Sequence, residues 1–551
     1  MVALVLGAIV IVGLVAAAAS VAAGLTSRQT PTAASGAPHF VDGSGSAGVG
    51  QVYEGEWSYV GGGVAVFDCD DDARSDLYIA GGSNPATLVH NASPRGGAIR
   101  FEAVHDPATD MSDVNGAYPL DIDADGIVDL AVLRFGENVL LRGLGDCRFE
   151  RANETFGFDG GHAWTTAFSA TWEGSAQLPT LAFGNYTSMD TNGDWDGTCT
   201  DDVLVRPAPS GRRYVPPTPL EPSWCTLSML FSDWARSGRR DLRVSNDHHY
   251  YSDTSDGAEQ LWRIDDGQPP LQYTAADGWQ LLRIWGMGIA SQDLTGDGLP
   301  EVFLTSQADN KLQTLEDGPA RPTYRDIAIE RGATAHRPFI GDTSLNSTAW
   351  HAQFDDANND TFMDLFIAKG NVGVMPDFAS RDPSNLLLGQ SDGTFKEGAQ
   401  DAGLIDFAQG RGGAAVDLNL DGLLDIVKVN RGVPVSIWRN VGAGTAAKAG
   451  PIGNWLAVKI GQPGPNGDGI GAWVSARVGD RIVEREVVVG GGHAGGQLGP
   501  IHFGLGSADR VDVRIQWPDG EVGPWQTVDA NQFVTIERGA AGPRPWTLPS
   551  S

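Results

Sequence analysis

Positive charge is scarce in this chain. There are 38 Lys and Arg against 69 Asp and Glu, a formal charge of -31, and only 19% of residues are charged. A surface of that sign repels nucleic acid and anionic lipid, and nucleic acid is not expected as a partner. Cysteine is rarer still. Cys69, Cys147, Cys199 and Cys225 never fall into C-x-x-C spacing, which argues against a zinc site. Their even number fits disulfides formed in an oxidising compartment, with three pairings open. No nucleophile elbow, Walker loop or H-E-x-x-H is found, so no catalytic residue is singled out. The composition is not that of a helical protein: 73 Gly and 31 Pro in 551 residues suit short strands joined by tight turns. A hydrophobic share of 41% is enough for a core.

Residues 2–25 lack any charge and are rich in Val, Leu, Ile and Ala. That run is long enough to span a bilayer and longer than a typical signal-peptide core. No Lys or Arg precedes it and Arg28 is the first charge after it, so flanking charge orients it poorly. Small residues at Val21, Ala22 and Ala23 offer a cleavage site. The reading is a signal anchor or signal peptide, with the bulk of the chain exported. Residues 26–38 are a tether of Ser, Thr, Pro, Ala and Gly.

A short loop recurs. Its copies are Asp68, Asp70, Asp72, Asp76; Asp121, Asp123, Asp125, Asp129; Asp293, Thr295, Asp297, Glu301; Asp356, Asn358, Asp360, Asp364; and Asp417, Asn419, Asp421, Asp425. Each puts side-chain oxygens at relative positions 1, 3, 5 and 9. A small-and-apolar run precedes each copy and a β-rich run follows it, so each loop joins two strands. A weaker copy runs from Asp233 to Asp241 with Ala235 and Ser237 between, and is read as metal-free. The step from 121 to 233 is twice the usual one. It places another metal-free copy around Phe168 and Phe183. Seven units at a spacing of about 58 residues, each with four antiparallel strands, predict a seven-bladed β-propeller.

The spacing also predicts how the ring closes. Residues 395–404 read FKEGAQDAGL, and residues 40–49 read FVDGSGSAGV. The last unit has no aromatic outer strand after Asn440, so the N-terminal segment should supply it. The pairings that suit this arrangement are Cys69–Cys147, on turns of adjacent units, and Cys199–Cys225, bracketing a Pro-rich excursion.

Calcium takes six to eight hard oxygen ligands, and these loops supply side-chain oxygens, with a carbonyl at position 7. Gly126, Gly298 and Gly422 at position 6 permit the sharp turn; Ala73 and Thr361 replace it in two copies. An EF-hand is excluded, because position 12 is Ile79, Val132, Leu304, Ile367 or Lys428 rather than Glu. One Asp-rich turn needs no metal. Five in register crowd carboxylates that repel one another unless cations sit among them. The expectation is about five Ca2+ sites.

Other constellations are weaker. Gly490 to Gly495 match G-x-G-x-x-G, but no helix-forming sequence follows, so a Gly-rich loop is the better reading. Asp247-His248-His249-Tyr250-Tyr251 offers a metal or sugar site, but the adjacent His248 and His249 point to opposite faces of a strand and cannot easily share an ion. His162, Trp164, Trp350 and His351 lie where inner strands begin, either lining a channel or packing there. Asp190, Asn192, Asp194, Asp196 and Asp202 form a further oxygen-rich candidate beside Cys199.

The loops and their flanks resemble the FG-GAP/VCBS repeats of integrin-type propellers. Near the C-terminus, Asn454-Trp455-Leu456, Asn466-Gly467-Asp468-Gly469, His502-Phe503-Gly504 and Trp517-Pro518-Asp519-Gly520 resemble the ASPIC/UnbV domain. Together they resemble the cartilage acidic protein family over roughly residues 40–540. The resemblance implies a secreted or surface calcium-binding protein and no settled activity. The expected architecture is all-β: an N-terminal hydrophobic helix (1–25), a linker (26–38), a seven-bladed propeller (39–445) and an ASPIC/UnbV-like β domain (452–540). The expected function is an extracellular or cell-surface binding protein, with a protein or glycan ligand on a propeller face. The alternative is an extracytoplasmic enzyme acting on a polysaccharide or secondary metabolite in the propeller channel.

Overall fold

Alternating short strands and Gly/Asp turns build antiparallel sheets throughout the computed structural model. It describes residues 35–546 apart from 56, 190–194, 210, 248–256, 335–344 and 374–377. The expected N-terminal helix, most of the linker, and the side chains of Asp190, Asn192, Asp194, Asp196, His248 and His249 lie outside the described residues. Among the described residues no helix is long and apolar enough to cross a membrane.

Seven four-stranded antiparallel units follow one another along the chain. The innermost strand of each is Val64–Phe67, Val114–Leu120, Ala163–Thr171, Thr226–Ser232, Gly286–Gln292, Ala349–Asp355 or Gln409–Val416. Each of these strands packs against the next, and the last packs against the first, closing a propeller-like ring. Two adjacent units are also joined through backbone pairing of Ala163 with Gly136 and Trp164 with Phe135. The innermost strands are buried on both faces, so they read as runs of small and apolar residues rather than as alternating patterns. The unit expected around Phe168 and Phe183 is present, with those two residues paired across its first two strands.

The ring closes as expected. Phe40, Val41 and Asp42 pair with Asn440, Arg439 and Trp438, so the N-terminal segment is the outer strand of the last unit. The matching phrases end alike: Gly48 and Gly403 both have left-handed backbone, at φ 81° and 80°. Both disulfides pair as expected, Cys69 with Cys147 and Cys199 with Cys225. Deleting residues 39–50 exposes the edge strand Ser436–Asn440 and removes buried Phe40, Ala47 and Val49. The whole ring is then expected to lose about 5 kcal/mol or more. Scanning calorimetry checks this, and a deletion that melts like the parent contradicts it.

A second body follows. One sheet orders Ile501–Gly506, Asn454–Gly461, Gln532–Glu537 and Arg544–Pro545. The other orders Arg481–Glu486, Trp473–Val478, Arg510–Gln516 and Gln526–Asp529. Between these sheets, residues 487–500 leave the C-terminal body and enter the ring. Gln497 pairs with Val66, Gly495 with Ala117, Val489 with Ala170, Gly490 with Leu230 and Gly492 with Ile289. The glycine-rich stretch is therefore a plug across the innermost strands.

Candidate functional site

Every Asp-rich loop joins the first strand of a unit to its second, so all of them lie on one face of the ring. The residue at position 9 opens the second strand and is held by backbone. Asp129 accepts from the N–H of Ile122 and of Gly143. Asp76, Asp364 and Asp425 do the same, each bonding its own loop and the third strand of its unit. Glu301 accepts from the N–H groups of Leu294 and Thr295. Position 1 closes the turn: Asp356 accepts from Asp360 and Thr361, and Asp417 from Asp421 and Gly422. Asp125, Asp297, Asp360 and Asp421 at position 5 each accept from the N–H two residues on.

Position 3 behaves differently. Oδ1 of Asp70, Asp123, Asn358 and Asn419 is buried without a hydrogen-bond donor, as is Oδ1 of Asp121. Thr295, the exception, bonds Glu301. The same atom orphaned in four loops of five calls for a positive partner, because an unpaired buried acceptor costs about 1–3 kcal/mol. Hard oxygen donors at this spacing fit a calcium ion. Ligand atoms of Asp68, Asp70 and Asp76 lie within 4.8 Å of one another, as do those of Asp121, Asp123 and Asp129. The loops of Asp293, Asp356 and Asp417 do not gather three acids this way among the described residues; Thr295, Asn358 or Asn419 stands in for the third.

Electrostatics point the same way. Burial, reinforced by neighbouring carboxylates, pushes Asp76 up to about 8, Asp417 to about 7, and Asp68 and Asp121 to about 6. Burial also takes Glu301 to about 7, and holds Asp129, Asp364 and Asp425 well above the carboxylate range. Cations of the chain reach some loops. Arg142 pairs with Asp123 at 2.7 Å and Asp125 at 2.6 Å, and His90 lies 3.0 Å from Asp70.

The weak copy carries its own cation. Arg239 Nε lies 2.8 Å from Asp241 Oδ1, and its guanidinium also donates to Tyr273. The Arg two residues before Asp241 is the sequence signal for this internal cation, and sequence reasoning passed over it. Asp241 is fully buried. Arg239→Met removes that carboxylate's ion pair, leaving it the donors of Trp234, Tyr273 and Ile264, and is expected to cost about 2 kcal/mol, equally with and without calcium. Urea unfolding in calcium and in chelator checks this; a calcium-dependent loss contradicts it.

The remaining candidates are structural. The Asp202 carboxylate accepts from Asn185 N–H and Thr226 Oγ1, and its backbone N–H donates to Ser223 Oγ. Asp247 accepts from Tyr186. His351 Nδ1 accepts from the N–H of His493, and Trp350 packs on His493 at 5.0 Å. His493 Nε2 accepts from the Gly61 N–H, and burial pushes this imidazole down to about 3, so it is neutral. The plug thus seats a neutral histidine in the ring.

The C-terminal body covers the Asp-loop face. Arg485 pairs with Asp355, Arg481 donates to the Thr361 carbonyl, and Glu486 accepts from Asp233 N–H and Ser232. His502 Nε2 lies 2.6 Å from Asn359 Oδ1. From the N-terminal side, Ser35 N–H donates to Asp360.

The family described as ASPIC and UnbV matches residues 462–543. Cartilage acidic protein 1 of Mus musculus is 24% identical over 242 residues, 43% of this chain; the match spans about a third (34%) of that protein's length. Among solved structures, BBS1N in complex with ARL6DN covers 75% of this chain and 98% of its own at 10% identity, with a TM-score of 0.40. An Agrocybe aegerita lectin that recognises non-reducing terminal N-acetylglucosamine covers 66% of this chain and 88% of its own at 15% identity, with a TM-score of 0.37. The two disulfides suggest an extracytoplasmic, oxidising compartment. The chain carries an ASPIC and UnbV domain at its C-terminal end and is a distant homologue of cartilage acidic protein 1.

Proposed function

We propose that the chain is an exported, calcium-stabilised seven-bladed β-propeller that binds a protein or glycan on its free face. Residues 1–25 form the anchor or signal, 26–38 the tether, 39–445 the propeller and 452–540 the C-terminal domain. The twenty loop residues at positions 1, 3, 5 and 9 hold about five Ca2+ ions, whose role is to fix the hairpins. The observation that carries the binding reading is the plug. Residues 487–500 occupy the centre of the ring, where the alternative reading needs a substrate, and a neutral His493 sits there fully buried. That leaves the end opposite the Asp loops, where second strands turn into third strands. Val433 is 43% exposed on one such turn, and Tyr59 is 41% exposed beneath the Arg431 guanidinium at 4.7 Å.

Amphipathic aromatics beside arginine suit recognition of sugars or protein surfaces. The test is binding of the full chain to immobilised glycans and to co-exported proteins of the host. Tyr59→Ala and Arg431→Ala are expected to weaken the retained interaction about tenfold, the first without lowering the melting temperature and the second with a small loss from its bonds to Ser58 and the Val372 carbonyl. Turnover of a polysaccharide or metabolite that survives both substitutions would favour the enzyme instead.

A further inference from the structure

The C-terminal domain presses an acidic turn against the second Asp loop. Asn466 builds that turn: its side chain accepts from Ile470 N–H and donates to the Ile470 carbonyl, and its own carbonyl accepts from Gly469 N–H. The turn is therefore held in one shape, with Gly469 in the left-handed region at φ 66°. A Cβ on Gly467 would lie 4.0 Å from Asp121 Oδ2, so the two bodies are in close approach here. Asp468 follows directly. It lines the same cavity of about 440 Å3 as Asp68, Asp70, Asp121 and Glu537, with Lys459 among the lining residues. Asp468 is close enough to Asp121 for their charges to oppose one another.

Arg142 answers Asp123 and Asp125 and Lys459 partly answers Asp468, while Asp121 has no ion pair among the described residues. The ligand-facing observation is independent of that crowding. Asp121 is only 7% exposed, and its Oδ1 and that of Asp123 have no donor. Both belong to the cluster whose ligand atoms lie within 4.8 Å of one another. The loop alone supplies few ligands for an ion that takes six to eight.

We propose that Asp468 is a further ligand of the divalent cation held by the loop of Asp121, Asp123, Asp125 and Asp129, so that this ion bridges the ring and the C-terminal domain. The inference rests on the calcium reading of the loops. It makes the second loop different in kind from the others: its ion is an interdomain clamp, while the rest act within one unit.

The experiment is calcium titration and hydrogen exchange of the full chain, as wild type, Asp468→Asn and Asp123→Ala. In the wild type, calcium is expected to slow exchange both at 122–128 and at 466–471. Asp468→Asn is expected to weaken one site about tenfold. Its amide oxygen can still ligate, so the calcium-dependent protection at 466–471 should fall without vanishing, while 122–128 keeps its own. Asp123→Ala should weaken the same site and lose both. Calcium that protects 122–128 but leaves 466–471 unchanged, with Asp468→Asn binding like wild type, overturns the clamp and leaves the loop reading standing. Absence of calcium binding in the wild type overturns both. Exchange in the wild type alone decides the matter if Asp468→Asn does not fold.

Discussion

Chelating calcium is expected to lower the melting temperature of the full chain by more than about 10 °C, because several sites are emptied together. Each site contributes about 2.7 kcal/mol when free calcium is a hundredfold above its Kd. The choice of variant matters. Asp129→Ala would break the bonds from Ile122 and Gly143 N–H and weaken the fold even without metal. Asp123→Ala keeps the loop backbone bonded and removes an oxygen that has no donor; beyond the loss of the partly exposed Arg142 pair, worth about 1 kcal/mol or less, its effect should vanish in chelator. The chelated chain should also depend on pH in an unusual direction. Asp76, Asp417 and Glu301 have folded pKa values raised to about 8, 7 and 7, above the unfolded range near 4. Groups raised in the fold stabilise it below the unfolded pKa, and that contribution is lost as pH rises through the folded value. Between pH 5 and 8 the chelated chain should therefore lose stability steadily, and the calcium-loaded chain much less. Melting curves that coincide with and without chelator at pH 8 would contradict this.

The second large effect concerns the plug. Innermost strands carry glycines where the plug passes: a Cβ on Gly116 would lie 1.8 Å from the Ala494 carbonyl oxygen, and one on Gly63 1.7 Å from it. Neither has positive φ, so alanine there is excluded by the plug alone and not by its own backbone. The obstacle is a backbone carbonyl held between inner strands, which cannot rotate away. Gly116→Val is expected to expel residues 490–496 from the ring and to cost about 3 kcal/mol. Cleavage by thermolysin around Val487 to Leu498 should accelerate about tenfold or more. His493 would leave the Gly61 N–H unpaired as it goes, which adds to the loss. A variant with wild-type proteolysis and melting would mean that the plug does not seat as described.

The loops, the number of units and the closing strand were legible because each is a local pattern. Oxygen side chains at positions 1, 3, 5 and 9 recur beside strand-forming runs, and the phrase at 40–49 shares its Phe, two Gly and Ala with the one at 395–404 at the same places. The disulfides followed from which turns share a face. The plug was not legible in the same way. Its glycines read as a loop, and the groups that receive it, from Gly61 to His351, lie more than a hundred residues away in sequence. Only the glycines of the inner strands hinted that something passes close by. Likewise the opposed charges of Asp468 and Asp121 arise from how two bodies dock, which no local spacing encodes.

The central claim is that the Asp-rich loops hold calcium, and counting the metal tests it most directly. Elemental mass spectrometry of the desalted, folded chain should find close to five calcium ions per chain, one for each full loop, and one fewer in Asp123→Ala. A chain that melts at its full temperature while carrying no calcium would contradict the account.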